Sequence, residues 1–146
     1  MFRHILIPTD GSPLSASAVE KAMSFAKSVG AKVTVLTVVA RLPASAWSGG
    51  PYMYPHADEF RRHALAEAER SLTEAEQEAK RVGVPCEVVK VEDRQPFEAI
   101  LETAGFRGCD LIAMASHGRR GISALVLGSE ATKVLTHSKL PVLIYR

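Results

Sequence analysis

Two short stretches of this 146-residue chain carry residue types that can do chemistry. One is Met114-Ala115-Ser116-His117-Gly118-Arg119-Arg120-Gly121, closing at Leu127-Gly128-Ser129. The other is Pro8-Thr9-Asp10-Gly11-Ser12. The first opens at the end of an apolar strand and closes where a helix should begin. A strand end, a basic Gly-rich loop and a helix N-terminus make an anion cradle, because unpaired amides and the positive helix end both favour phosphate. Arg119 and Arg120 would add fork-shaped donors. Ser129 brings a hydroxyl donor, and Gly118 and Gly128 would let the backbone come close to an anion. The plainer alternative is a strand–helix connection whose glycines only supply turns, since short Gly motifs also match by chance.

The loop does not read as a machine for hydrolysis. A chemical step needs a positioned base or a polarising group. His117 is the loop's one candidate, and its expected role is to brace the loop by hydrogen bonding. The chain contains no G-x-x-x-x-G-K-[ST] and no H-E-x-x-H. Slow turnover at most is expected, and no catalytic residue is assigned. His56 and His63 could share a helix face, but two histidines rarely make a metal site, so none is expected.

These groups need a scaffold that gathers strand ends. Residues 2–7 read as a buried strand centred on Ile5-Leu6-Ile7. Ser12 and Pro13 then start a helix over 13–29, with Ser as N-cap and Pro in the first position. Leu14, Ala18, Ala22, Phe25, Ala26 and Val29 form its apolar stripe, and Gly30 stops it. Residues 32–39 are nearly all apolar or β-branched, which suits a parallel strand covered on both faces. Residues 40–56 form a long loop rich in Pro, Ser and Gly that carries Trp47, Tyr52, Met53 and Tyr54. Its expected role is to cover the end of the sheet; closing over a ligand or packing on a partner are the alternatives.

A long helix follows over 57–82, with Phe60, Ala64, Ala68, Leu72, Ala75, Ala79 and Val82 on one stripe. Gly83 and Pro85 end it. Strands are expected at 86–91, 111–115 and 141–145, and helices at 96–106 and 129–137. The order βαβαβαβαβ implies right-handed crossovers. The expected fold is α/β: one domain over residues 1–146, a doubly wound five-stranded parallel sheet with helices on both faces. Such sheets bind ligands outside the carboxyl ends of strands, where strand order reverses. Asp10, Val38 and Met114-Ala115 all fall at carboxyl ends.

Composition narrows the classes. A net charge of +2 is too small to argue for nucleic acid. No apolar run approaches the roughly 20 residues of a spanning helix, and no signal peptide is legible, so the cytoplasm is the expected compartment. Cys86 and Cys109 sit beside apolar strands, far apart and outside any CxxC, as buried reduced thiols would.

With these elements in place, the chain resembles the universal stress protein family over essentially its whole length. The residues that carry the likeness are Ile5-Leu6-Ile7-Pro8-Thr9-Asp10-Gly11-Ser12, Ser116-His117-Gly118 followed by nine residues and Gly128-Ser129, and Pro141-Val142-Leu143-Ile144. ATP-binding members show G-x2-G-x9-G-[ST]; this chain gives Ala115-x2-Gly118-x9-Gly128-Ser129. The resemblance implies a Rossmann-like fold of the adenine nucleotide alpha hydrolase type, and a site for ATP, ADP or AMP, with or without Mg2+. Pro8, Thr9 and Asp10 would line the nucleoside and ribose side, and Val38 would present its backbone to adenine. Met114, Ala115, His117, Gly118 and Arg119 would form the phosphate loop. Gly128 and Ser129 would hold phosphates at the helix start, with Glu130 and Ala131 behind them.

Three positions depart from the family pattern. Ala115 replaces the first glycine, which is tolerable at negative φ and not at positive φ. Glu130 stands where many members are apolar, and Arg94 where the family often has glycine. The implied role is that of a dimeric, nucleotide-responsive regulator in stress response, paired through the last strand at 141–145. That strand is apolar and fit for a sheet edge. The alternative is a dimeric interaction protein that needs no nucleotide.

Overall fold

The computed structural model describes residues 1–42, 56–93, 95–118 and 126–146. Along the chain run β1 (His4–Pro8), α1 (Pro13–Val29), β2 (Lys32–Ala40), α2 (Ala57–Val82), β3 (Cys86–Asp93), α3 (Pro96–Arg107), β4 (Leu111–Ala115), α4 (Ser129–His137) and β5 (Val142–Tyr145). The strands form one parallel sheet in the order β3-β2-β1-β4-β5. The chain winds outward through β2 and β3, then crosses back to β4 and β5. Strand order therefore reverses between β1 and β4, as the alternating pattern implies. Trp47, Tyr52, Met53, Tyr54, Arg94, Arg119 and Arg120 lie outside the described residues.

Two cores sandwich the sheet. On one face Ile5, Ile7, Val33 and Val35 meet Val19, Ala22, Met23 and Ala26 of α1 and Leu72, Ala75 and Ala79 of α2. On the other, Leu6, Leu36 and Ile112 meet Ile100 and Ala104 of α3 and Ala131 and Val134 of α4. Adjacent strand residues thus serve opposite cores, the two-residue repeat of a strand. This is why β4 is apolar throughout and β1 is apolar after His4.

Local chemistry sets the ends. The Ser12 Oγ accepts the Ser15 amide at 3.3 Å, Pro13 opens α1, and Gly30 closes it at φ 71°. The buried stripe of α1 is wider than the sequence suggests, adding Ser15, Val19 and Met23. In α2, Phe60 is 48% exposed; burial begins at Ala68. β1 spans residues 4–8, not 2–7. Its odd residues bond toward β2, as in Lys32 N–H to Arg3 O and Thr9 N–H to Leu36 O, and its even ones toward β4, as in Asp110 N–H to His4 O. Pro8 therefore faces β4, past the paired positions Ile5–Leu111 and Leu6–Ile112, where its missing N–H costs no ladder bond.

The two sheet edges differ. β3 carries Glu87, Lys90 and Glu92, which pair with Arg107, Glu69 and Arg61. β5 shows Val142, Leu143, Ile144 and Tyr145, all partly exposed. Ile112 N–H bonds Pro141 O, and Ser116 N–H bonds Tyr145 O. Residues 141, 143 and 145 thus face β4, and the main-chain groups of Val142 and Ile144 face the free edge. Both cysteines are free, and burial pushes each thiol up to about 11. Among the described residues no helix is long and apolar enough to cross a membrane.

Candidate functional site

The carboxyl ends of β1 and β4 meet where the strand order reverses. β1 leads into an exposed Asp10 and then Gly11, whose φ of 77° needs glycine. The turn is tightly tied. Asp10 Oδ1 accepts the Ser12 amide at 2.9 Å, Ser15 Oγ accepts the Asp10 amide at 3.2 Å, and Thr9 Oγ1 accepts the Ser15 hydroxyl at 2.9 Å. Thr9 is buried, so its hydroxyl works inside this network. β2 outruns β1. Leu36 O takes the Thr9 amide, and two residues on Val38 turns its N–H and C=O to the same side, where β1 has ended.

From β4 the chain enters Ser116, His117 and Gly118. Ser116 O accepts the Gly128 amide at 2.7 Å, which pins the start of α4 against the end of β4. Ser116 Oγ lies 3.1 Å from His117 Nδ1. A hydroxyl bond within the loop is the bracing role expected of His117. The glycines have a different reason from the one the sequence suggests. A methyl on Gly118 would stand 2.2 Å from Asp10 Oδ2, and one on Gly128 would stand 3.0 Å from Cα and Cβ of His117. Neither residue has positive φ. Their bareness makes room for protein, packing the two loops together. Ala115 is the last residue of β4, and among the described residues no non-glycine residue has positive φ. Its methyl therefore causes no backbone strain where the ATP-binding pattern has glycine.

α4 begins at Ser129 with Gly128 as N-cap, so no side chain of the cap residue covers the amides of its first turn. Glu130, in that turn, sends its carboxylate elsewhere. Oε2 accepts the Phe97 amide at 2.9 Å in the first turn of α3, and Oε1 pairs with Lys133 at 3.2 Å. Lys133 also stands 5.5 Å over the Phe97 ring, which stacks on His137. Glu130 is thus not folded into the crevice beside Asp10; it caps the neighbouring helix. Sequence spacing could not show this bond, which joins residues 33 apart.

The structure brings Asp10 against Gly118 and ties Gly128 to Ser116 beside His117, with Pro8 and Ala115 ending the strands that lead into the two loops. Met114 and Ala131 are buried in the core beneath, and Val38 is part of the same cluster. Two cavities lie to the side. One of about 240 Å³ is lined by Ala40, Arg41, Leu42, Phe60, Arg61 and Glu92, and one of about 120 Å³ runs from Thr9 and Gly11 to Ser71 and Glu74. Among the described residues no three His, Cys, Asp or Glu cluster as metal ligands.

The model of the universal stress protein family matches residues 1–146. The chain is 34% identical to universal stress protein YxiE of Bacillus subtilis, with both chains covered in full. The solved structure of MJ0577, a universal stress protein of Methanocaldococcus jannaschii, superposes with a TM-score of 0.80 at 27% identity, over 99% of this chain and 95% of that one. A universal stress protein solved in complex with cAMP superposes with a TM-score of 0.69 at 27% identity, over 99% and 97%.

Proposed function

Because the chain belongs to the universal stress protein family, we propose that the crevice between β1 and β4 binds an adenine nucleotide: ATP, ADP or AMP. The observation that carries this reading is the contact of Asp10 with Gly118, and of Gly128 at the start of α4 with Ser116 and His117, at the reversal point. The cAMP complex of a relative of the same fold supports it. Val38 offers main-chain groups to the base. In this reading Pro8, Thr9 and Asp10 line the ribose side, and Asp10 would hold Mg2+, where it is present, through water. Met114, Ala115, His117, Gly118 and Arg119 form the phosphate loop, completed by Gly128, Ser129, Glu130 and Ala131. The nucleotide adds charge that the amides of α4 balance; the chain's own residues bind and orient it. In this reading turnover is slow or absent, and the nucleotide serves as a signal.

The output of that signal is the state of a cytoplasmic homodimer joined through β5. The reading is tested by mass spectrometry of nucleotide released from the denatured protein, and by calorimetry with ATP, ADP and AMP. Release or saturable heat supports it; no heat with any of the three at millimolar ligand refutes it. The second reading, a dimeric regulator without nucleotide, is favoured by the contrast between the apolar β5 edge and the charged β3 edge. It would then stand alone.

A further inference from the structure

We infer that the slot between α1 and α2 binds a small amino alcohol, a primary ammonium group on a short hydroxylated stem. The slot has a volume of about 120 Å³ and is separate from the crevice between β1 and β4. Asp10 is turned toward Gly118, while Thr9 and Gly11 on either side of it line the slot. A water takes up about 30 Å³ of liquid, so the slot admits about four waters or one molecule of similar size. Its mouth is acidic. Glu20 and Glu74 are exposed there, and Glu78 is half-buried. Arg81 holds Glu78, with Nε 2.7 Å from Oε2, and attracts Glu20 from further off. One guanidinium thus answers three carboxylates, and neither Glu20 nor Glu74 has a close ion pair among the described residues. Like charges around one opening favour a cation between them.

The inner end is neutral and polar. Val19 and Ala75, both buried, flank a short carbon stem. Ser71 Oγ gives its proton to Glu67 O at 3.0 Å, so it is left to accept. Thr9 Oγ1 accepts the Gly11 amide and the Ser15 hydroxyl, so its proton is what remains to give. Thr37 stands beside Thr9. It lies one place past the Pro8–Leu36 pair and, by alternation, on the same face as Val33 and Val35. It is 5% exposed, and its hydroxyl has no partner among the described residues. A buried hydroxyl left open calls for a partner that the chain does not itself supply. A ligand hydroxyl both donates and accepts, which suits this set; its ammonium then reaches the carboxylates at the mouth.

The test follows the amide signals of Gly11, Val19, Ser71 and Ala75 by NMR while ethanolamine is added to the isotope-labelled chain at neutral pH. Ethylammonium, which lacks the hydroxyl, and sodium chloride at matched ionic strength run alongside. Ethanolamine should shift these signals to saturation, and salt should not. Glu74→Gln should weaken ethanolamine about two- to fivefold, the range of an exposed ion pair. Glu76→Gln, on the same helix but outside the slot, should leave it unchanged. Thr37→Val keeps the shape and removes the hydroxyl; it should weaken ethanolamine about two- to tenfold and spare ethylammonium. Shifts that do not saturate, or that salt reproduces, overturn the inference. So does equal weakening by Glu76→Gln and Glu74→Gln, which marks general charge attraction. Ethylammonium binding as tightly as ethanolamine, or Thr37→Val without effect on either, overturns it too. None of these results bears on the proposed nucleotide site.

Discussion

Gly128→Ala is the sharpest perturbation of the junction between β4 and α4. The added methyl would lie 3.0 Å from Cα and Cβ of His117 and 3.3 Å from the Ser116 carbonyl oxygen. Carbon atoms settle at about 3.5–4.0 Å, so one side must give by roughly half an ångström. The crowding atoms belong mainly to backbone, which cannot swing aside as a side-chain tip can. The move would stretch the 2.7 Å bond from Gly128 N–H to Ser116 O. A weakened backbone bond costs about 0.5–1.5 kcal/mol, and alanine is a poorer N-cap than glycine by several tenths. A loss of about 1–2 kcal/mol follows, or a fall in Tm of about 3–6 °C at this chain length. Urea unfolding followed by circular dichroism measures it. The same shift carries the start of α4 away from Asp10, so nucleotide affinity should fall as well. A variant with the wild-type urea midpoint and wild-type nucleotide affinity would refute the idea that close approach at this glycine shapes the site.

Three further outcomes follow from the same geometry. Thr37 is 5% exposed and its hydroxyl has no partner among the described residues; Thr37→Val should stabilise the chain by about 1 kcal/mol, and a loss instead would mean that the hydroxyl is bonded. His4 is buried with Nε2 2.7 Å from Thr34 Oγ1. Burial lowers its pKa below the ordinary 6.5, Lys32 adds to this, and Glu87 and Asp110 oppose it. The unfolded chain then takes up a proton that the folded chain refuses. Stability falls as pH drops through 6.5 toward the folded value, by at most about 1.4 kcal/mol per pH unit from this group. His4→Gln should flatten the slope in urea titrations between pH 7.5 and 5.5, and an unchanged slope would assign it elsewhere. Val142→Pro removes a donor that faces the free edge of β5 while sparing the bonds to β4. Light scattering should report monomer, and an intact dimer would move the proposed interface to another surface.

Much of the fold was legible because local signals and the strand–helix rhythm agree. Ser12-Pro13 marked a helix start, Gly30 and Gly83 marked helix ends, and two-sided burial left Ile5-Leu6-Ile7 of β1 and all of β4 apolar. Boundaries slipped where a rule of thumb met a particular neighbour. Pro8 stays in its strand because its missing donor faces an unpaired side, and Ser15 is buried because Thr9 receives its hydroxyl. The site was legible in residue types but not in contacts. Gly118 reads as a phosphate-loop glycine, yet what needs its bareness is the carboxylate of Asp10, 108 residues away. Glu130 reads as a charge beside the phosphates, yet its bond runs to Phe97. Spacing along one element cannot report a partner on another.

The contrast between the sheet's two borders has a bearing on assembly size. Two copies joined along β5 would make a continuous ten-stranded sheet with β3 at both outer margins. Each margin would carry the fixed ion pairs of Glu87, Lys90 and Glu92, which disfavour a further strand. Association by this route is self-limiting: it stops at two subunits and does not polymerise into a fibre.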